Sequence, residues 1–263
     1  MDQPIIDHFD QGLLTLTMNR PDTRNALSSD LLDALLDALD RAASDRTVRA
    51  VLLRGAGGTF SVGGDVKAMA DPTQFQGGLE ARTDSLRRRA RISELLHEMP
   101  KPTIAMIERA AAGAGLSIAL ACDFRIAGEK AKLTTAFAKV ALSGDFGGPY
   151  FLAKLIGSAR TRDLYMTSPV LTGADALMLG IVTRVAKDDE LEAAALAFAR
   201  DLAAGPTLTF AYMKKTIAIA ESQSLKDLLD HESLYHSRSM ATDDHREAAS
   251  SFVEKRPASF TGR

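Results

Sequence analysis

Residues 101–128, KPTIAMIERAAAGAGLSIALACDFRIAG, decide how the chain folds. KPTIAMIE is a continuous apolar run that reads as a buried strand, and CDFRIAG reads as another. Between them, AGAGLSIALACDF starts on Gly113 and Gly115 and continues as a helix with almost no polar side, the mark of a helix enclosed by the rest of the molecule. Upstream, VRAVLLRG (48–55) is a similar run and delivers the chain into GGTFSVGGDVKAM (57–69). Strand, glycine turn and helix thus occur twice, which predicts an α/β protein whose sheet is covered on both faces.

The flanks extend this pattern. GLLTLTMNRP (12–21) alternates as a strand and stops at a proline, which cannot donate to a ladder. SSDLLDALLDALDRAASD (28–45) places leucines at 31, 32, 35, 36 and 39 behind serine caps, a helical stripe. Residues 83–98 read as an arginine-rich helix, and residues 70–86 as a mobile segment with little apolar periodicity. Beyond GDFGGPYFLAKLIG (144–157) the chain becomes mainly helical, and from Gly205 onward only helix-like and polar segments remain. The expected division is an α/β core over 1–204 and a helical region over 205–263.

With 46% apolar residues in 263, the chain can build a large core. A formal charge of −2 gives no positive field for nucleic acid or an anionic membrane, so neither is an expected partner. Cys122 is the single cysteine, which excludes an internal disulfide and suits a reducing compartment. The opening MDQPIIDHFDQG is acidic and lacks a signal-peptide core, and no run reaches membrane-spanning length, so a cytoplasmic location is expected. The five histidines show no metal-ligand spacing, and no metal is expected.

GAGGTF (55–60) lacks the third glycine of a dinucleotide fingerprint, GAG (113–115) has no acid at the end of a following strand in the right place, and the chain has no Gly-Lys-Ser/Thr of a P-loop. One glycine turn ends with Gly63-Gly64-Asp65; the other opens a helix at Gly113-Ala114-Gly115, where unpaired N–H groups favour negative charge. One donor from each turn would make an oxyanion hole. Asp65 reads as a helix cap.

NRPDTRNALSSDLL, GTFSVGGDVKAM, the 101–127 stretch and FVEKRPASF together resemble the enoyl-CoA hydratase/isomerase (crotonase) family, in consistent order from about Gly12 to Phe260. The resemblance implies a crotonase-like fold of repeated ββα units in two stacked sheets, with a C-terminal helical region that makes homotrimers, often paired as homohexamers. It implies an acyl-CoA thioester as substrate, with coenzyme A entering only as part of that thioester and no separate cofactor. It also implies that the N–H groups of Gly64 and Ala114 hold the thioester oxygen. Arg24 and Lys67 match basic residues near the coenzyme A phosphates. Phe252 and Lys255 match a contribution to the nucleotide from a neighbouring subunit. For Arg24, Lys67 and Lys255 the alternative is a solvated surface charge, and for Phe252 a ring that packs in the trimer.

The family's hydratases use two glutamates, and the positions that match them are Ser117 and Phe137. A standard hydratase mechanism therefore lacks its acid–base pair. Asp145, in the glycine loop SGDFGGP beside Phe146, is another acid whose apolar neighbours could raise its pKa. This stretch resembles the family's isomerase branch, of the 1,2-epoxyphenylacetyl-CoA isomerase type, whose catalytic aspartate falls here. The reading is double-bond or ring isomerisation with Asp145 as proton shuttle. A hydratase or lyase using a single acid, an inactive acyl-CoA-binding scaffold, and an N-cap role for Asp145 stay open. The dehalogenase branch is disfavoured because the chain has no tryptophan and carries Phe137 and Ala90 at the matching positions. Glu108-Arg109, where the family carries Asn-Gly, reads as a salt-bridged surface pair, and RRRAR (87–91) as a solvated face or a phosphate attractor.

Overall fold

The computed structural model describes residues 3–70 and 78–263; the side chain of Lys67 lies outside that description. The chain runs β1 (Ile5–Asp10), β2 (Leu13–Met18), α1 (Ser29–Ser44), β3 (Ala50–Gly55), α2 (Val66–Ala70), α3 (Leu79–Arg89), α4 (Arg91–Glu98), β4 (Thr103–Ile107), β5 (Ala110–Ala112), α5 (Ala114–Ala121), β6 (Phe124–Gly128) and β7 (Lys132–Thr134). It continues through α6 (Gly148–Ile156), α7 (Ser158–Thr167), β8 (Leu171–Thr172), α8 (Gly173–Met178), β9 (Arg184–Ala186), α9 (Leu191–Ala204), α10 (Thr207–Ala220), α11 (Leu225–Met240) and α12 (Asp243–Glu254).

A six-stranded sheet in the order β1-β2-β3-β4-β6-β9 is parallel except for the β1–β2 pair. The smaller sheet, β5-β7-β8, is extended by an isolated bridge between Ser61 and Ala111. Side chains of a strand alternate between faces, and both faces of the large sheet are covered. Val51 and Leu53 of β3 and Ala105 and Ile107 of β4 join Leu31, Leu35 and Leu39 of α1 and Ile92 and Leu96 of α4. Leu52, Ile104 and Met106 face the other way, onto Leu191, Ala195, Ala199 and Ala203 of α9. Those residues recur every four positions, so their small side chains form one helical face that lies flat on the sheet. Truncating a fully buried leucine such as Leu35 to alanine costs about 2–5 kcal/mol.

Helix α1 starts where Ser28 Oγ accepts from the Leu31 N–H at 3.3 Å, and its five leucines are buried. The arginine-rich segment is two helices meeting at Ala90. Arg88 and Arg89 pair with Asp33 of α1, Arg91 with Asp40, and Arg87 with Glu94. These arginines are a partnered, solvated face. Part of the segment 70–86, expected to be mobile, lies outside the described residues, and residues 79–86 belong to α3.

From Thr207 to the end, all regular elements are helices. Ala211 is the buried residue of α10, and α11 buries none. Met213, Ile217, Leu225, Leu229, Leu234 and Met240 are exposed there. The chain end folds back: Asp244 accepts from the N–H groups of Thr261 (2.6 Å) and Gly262 (2.8 Å), and Arg49 donates to the Phe260 carbonyl at 3.0 Å.

Candidate active site

The first glycine turn is shaped from below by Asn25. Its buried amide nitrogen donates to the Thr59 carbonyl at 2.6 Å and the Ala56 carbonyl at 3.0 Å, while Oδ1 accepts from the Arg20 N–H at 2.8 Å. Ser61 Oγ donates to the Asn25 carbonyl at 2.7 Å and accepts from the Gly63 N–H at 3.1 Å. The Leu27 N–H then donates to the Gly63 carbonyl at 2.9 Å, which leaves Gly64 at the end of a bridged segment. Sequence reasoning passed over Asn25 and Ser61, although both stand in quoted motifs.

Ser61 also ties this turn to the second. Its N–H donates to the Ala110 carbonyl and its carbonyl accepts from the Ala112 N–H, at 3.1 and 3.0 Å, so β5 delivers Gly113 beside Gly63. Gly63 has φ +85, and a Cβ there would stand 2.6 Å from the Ala112 carbonyl oxygen and 3.4 Å from the Ala114 nitrogen. A Cβ on Gly115 would stand 2.7 Å from that of Ser61. Bare glycine at both positions lets the turns touch. Among the described residues neither the Gly64 nor the Ala114 N–H donates a hydrogen bond. Ala114 is the first residue of α5, so its N–H has no partner within the helix.

Asp145 lies just before α6. The N-cap of α6 is Gly147, with no side-chain cap, so the capping alternative for Asp145 does not hold. The Asp145 backbone carbonyl accepts from the Gly148 N–H at 3.1 Å, and Ser93 Oγ of α4 donates to the Phe146 carbonyl at 2.7 Å. Both contacts fix the loop while leaving the carboxylate free. Its Oδ1 is buried with no hydrogen-bond partner, and burial pushes the carboxyl pKa up to about 6. Phe137 and Phe146, both buried, lie on either side of Asp145 in the chain. The Phe137 ring approaches Gly113 and stacks on Tyr165 of α7, with centroids 5.8 Å apart. Ser117, one helical turn after Gly113, donates to the Gly113 carbonyl at 3.3 Å, and its Oγ and the Tyr165 hydroxyl both crowd Gly148. A line of contacts therefore runs from the second turn through Ser117 and Tyr165 to the Asp145 loop. Tyr165 was not anticipated: one tyrosine on a short helix reads as packing.

Arg24 is exposed, has φ +54, and lines a groove with Pro21, Gly58, Val62, Arg109 and Lys132. The Lys67 side chain lies outside the described residues. Phe252 is 86% exposed on α12 and Lys255 is exposed just beyond it, with no hydrogen bond or ion pair to the glycine turns among the described residues. Asp65 caps α2, accepting from the Ala68 N–H at 3.1 Å. Glu108 and Arg109 are not a surface pair: Glu108 is half-buried and faces Arg54 at 3.8 Å, while Arg109 lies exposed over Gly58. Among the described residues no group of three His, Cys, Asp or Glu could hold a metal, and burial pushes the Cys122 thiol up to about 12, which makes it a poor nucleophile.

A six-stranded sheet with a small second sheet, two touching glycine turns and a helical C-terminal region define the crotonase architecture. The chain belongs to the enoyl-CoA hydratase/isomerase family, whose model matches residues 8–263. It is 34% identical to the 1,2-epoxyphenylacetyl-CoA isomerase of Escherichia coli K12, over 98% of both chains. It is 33% identical to the trans-2-decenoyl-[acyl-carrier-protein] isomerase of Streptococcus mutans, again over 98% of both. The crystal structure of an enoyl-CoA hydratase from Polaromonas sp. JS666 superposes with a TM-score of 0.91 at 30% identity, covering 98% of this chain and 99% of that one.

Proposed function

We propose that the protein isomerises a double bond or strained ring in an acyl-CoA thioester, with Asp145 carrying the proton. The thioester oxygen accepts from the Gly64 and Ala114 N–H groups. Asp145 takes a proton from the acyl carbon next to the carbonyl, and the electron pair of that C–H bond delocalises onto the oxygen as an enolate. In the double-bond case the carboxylic acid so formed returns the proton two bonds along, the double bond moves into conjugation with the carbonyl, and the carboxylate is restored. One such backbone donor is worth about 3–4 kcal/mol of barrier stabilisation. The observation that carries this reading is the unpartnered, buried Oδ1 of Asp145. A carboxyl titrating near 6 is ionised at pH 7 yet basic enough to compete for a proton.

Arg24 and Lys67 hold the coenzyme A phosphates in this reading, and Phe252 and Lys255 reach the nucleotide of a neighbouring copy. The strongly exposed Phe252 and the apolar residues left open on α10 and α11 support assembly as a homotrimer or homohexamer through residues 205–263, with the site on residues 1–204. The location we assign is the cytoplasm; no helix among the described residues is long and apolar enough to cross a membrane. The test is mass spectrometry of a 3-enoyl-CoA incubated in deuterated water. Solvent deuterium in an isomer without added water supports isomerisation. A hydrated product would make the protein a hydratase using one acid, and no exchange at all would leave a binding scaffold.

A further inference from the structure

We infer that Tyr165 is a positioning residue whose ring braces the 144–148 loop and keeps water from the Asp145 carboxylate. This deepens the proposed reaction and rests on Asp145 as its base. The loop follows the edge of the ring. At one end, a Cβ on Gly144 would stand 3.1 Å from Tyr165 Cε1; at the other, a Cβ on Gly148 would collide with the Tyr165 hydroxyl and Ser117 Oγ. Asp145 lies between these two contact points, and its charge helps hold the tyrosine pKa up at about 12, after the larger effect of burial. The ring is itself fixed on two sides, by the stack with Phe137 and by the hydroxyl contact with Ser117. Oδ1 is therefore closed off by a rigid aromatic wall and offered no hydrogen bond.

The groups packed around Asp145 leave little else to set its protonation. From α5 and α4 come the neutral hydroxyls of Ser117 and Ser93. His97 of α4 packs edge-on against Tyr150 and Phe151 of α6, Lys154 of α6 pairs with Glu221, and Lys139 of the 137–140 turn is exposed. Burial is the one cause of the Asp145 shift, so removing the wall has a defined sign: water reaches the carboxylate, its charged form is stabilised, and its titration moves down.

Tyr165→Leu removes the ring, and Tyr165→Phe keeps it. Carbon-13 NMR of the full chain labelled at aspartate carboxyls, with the Asp145 signal identified by its loss in Asp145→Asn, reads the titration without reference to turnover. The expected result is a Tyr165→Leu midpoint at least about one unit below wild type, with the acid limb of the exchange rate moving equally. Its rate at pH 7 should fall about tenfold at unchanged KM, as a weaker base requires. Tyr165→Phe should keep the wild-type midpoint. If Tyr165→Leu does not fold, Tyr165→Met, whose flexible chain fills the space, is read the same way. An unchanged midpoint in the ring-less variant overturns the inference, as does an equal shift in Tyr165→Phe. Should Asp145→Asn stay active, the base assignment falls, while the NMR midpoints still judge the brace.

Discussion

Asp145 and Glu108 are both half-buried, both have their pKa raised by burial, and both carry one buried oxygen without a hydrogen-bond partner. Around Glu108, just beyond β4, Arg54 of β3 and Arg109 oppose the desolvation, and Arg54 also pairs with Glu192 of α9. That carboxylate is one member of an ionic strut joining two strands and a covering helix. Around Asp145 no charge opposes burial. Two partly buried carboxylates thus differ in their surroundings: one faces opposing cations, and the other is raised by burial alone. Burial alone does not single out a catalytic acid; the proposed reaction rests on burial with no opposing charge, at the end of a line of contacts from the second glycine turn.

The comparison breaks most visibly if turnover follows the wrong carboxylate. Asp145→Asn keeps shape and removes basicity, so the rate of isomerisation should fall by about 10² to 10⁴, with little change in thioester affinity by calorimetry. Ala114→Pro comes next: proline is accepted at the first position of a helix, so α5 should form while the N–H is lost, lowering kcat by about 10² to 10³. A folded Ala114→Pro variant with normal turnover would remove that donor from the account.

Stability sharpens the same contrast. A carboxyl raised from 3.8 to about 6 disfavours the folded state once it ionises, so its contribution is best below pH 4 and is lost as pH rises from about 4 to 6. Asp145→Asn removes that cost, and denaturant titration at pH 7 should show a gain of up to about 3 kcal/mol, a gain that vanishes near pH 4. Glu108→Gln has the smallest expected effect on chemistry: turnover should stay near wild type, and loss of reaction in this variant would move the proton transfer to the other carboxylate.

Much of the fold is legible in the sequence because strands buried on both faces must be apolar throughout. AVLLRG, TIAMI and FRIAG could hardly be read otherwise. β1, IIDHFD, was not anticipated because it is an edge strand with four exposed residues, and β5, β7 and β8 are two or three residues long, too short to show a period. The two glycine turns are legible because positive φ and close backbone contact demand glycine there. The resemblance and an apolar neighbour brought Asp145 forward, but its missing hydrogen bond exists only once α4, α5 and α7 have closed around it. For the same reason Asn25 and Tyr165 stayed hidden: each acts through neighbours distant in the chain, which no local pattern records.

The most direct measurement is the rate at which an acyl-CoA exchanges the protons next to its carbonyl with deuterated solvent, followed by proton NMR from pH 4 to 8 in wild type and Asp145→Asn. The expected result is a wild-type rate that rises through a single step near pH 6 and levels off above it, with exchange all but absent in the variant at every pH. A variant that still exchanges with the same midpoint would contradict the assignment of Asp145 as the base.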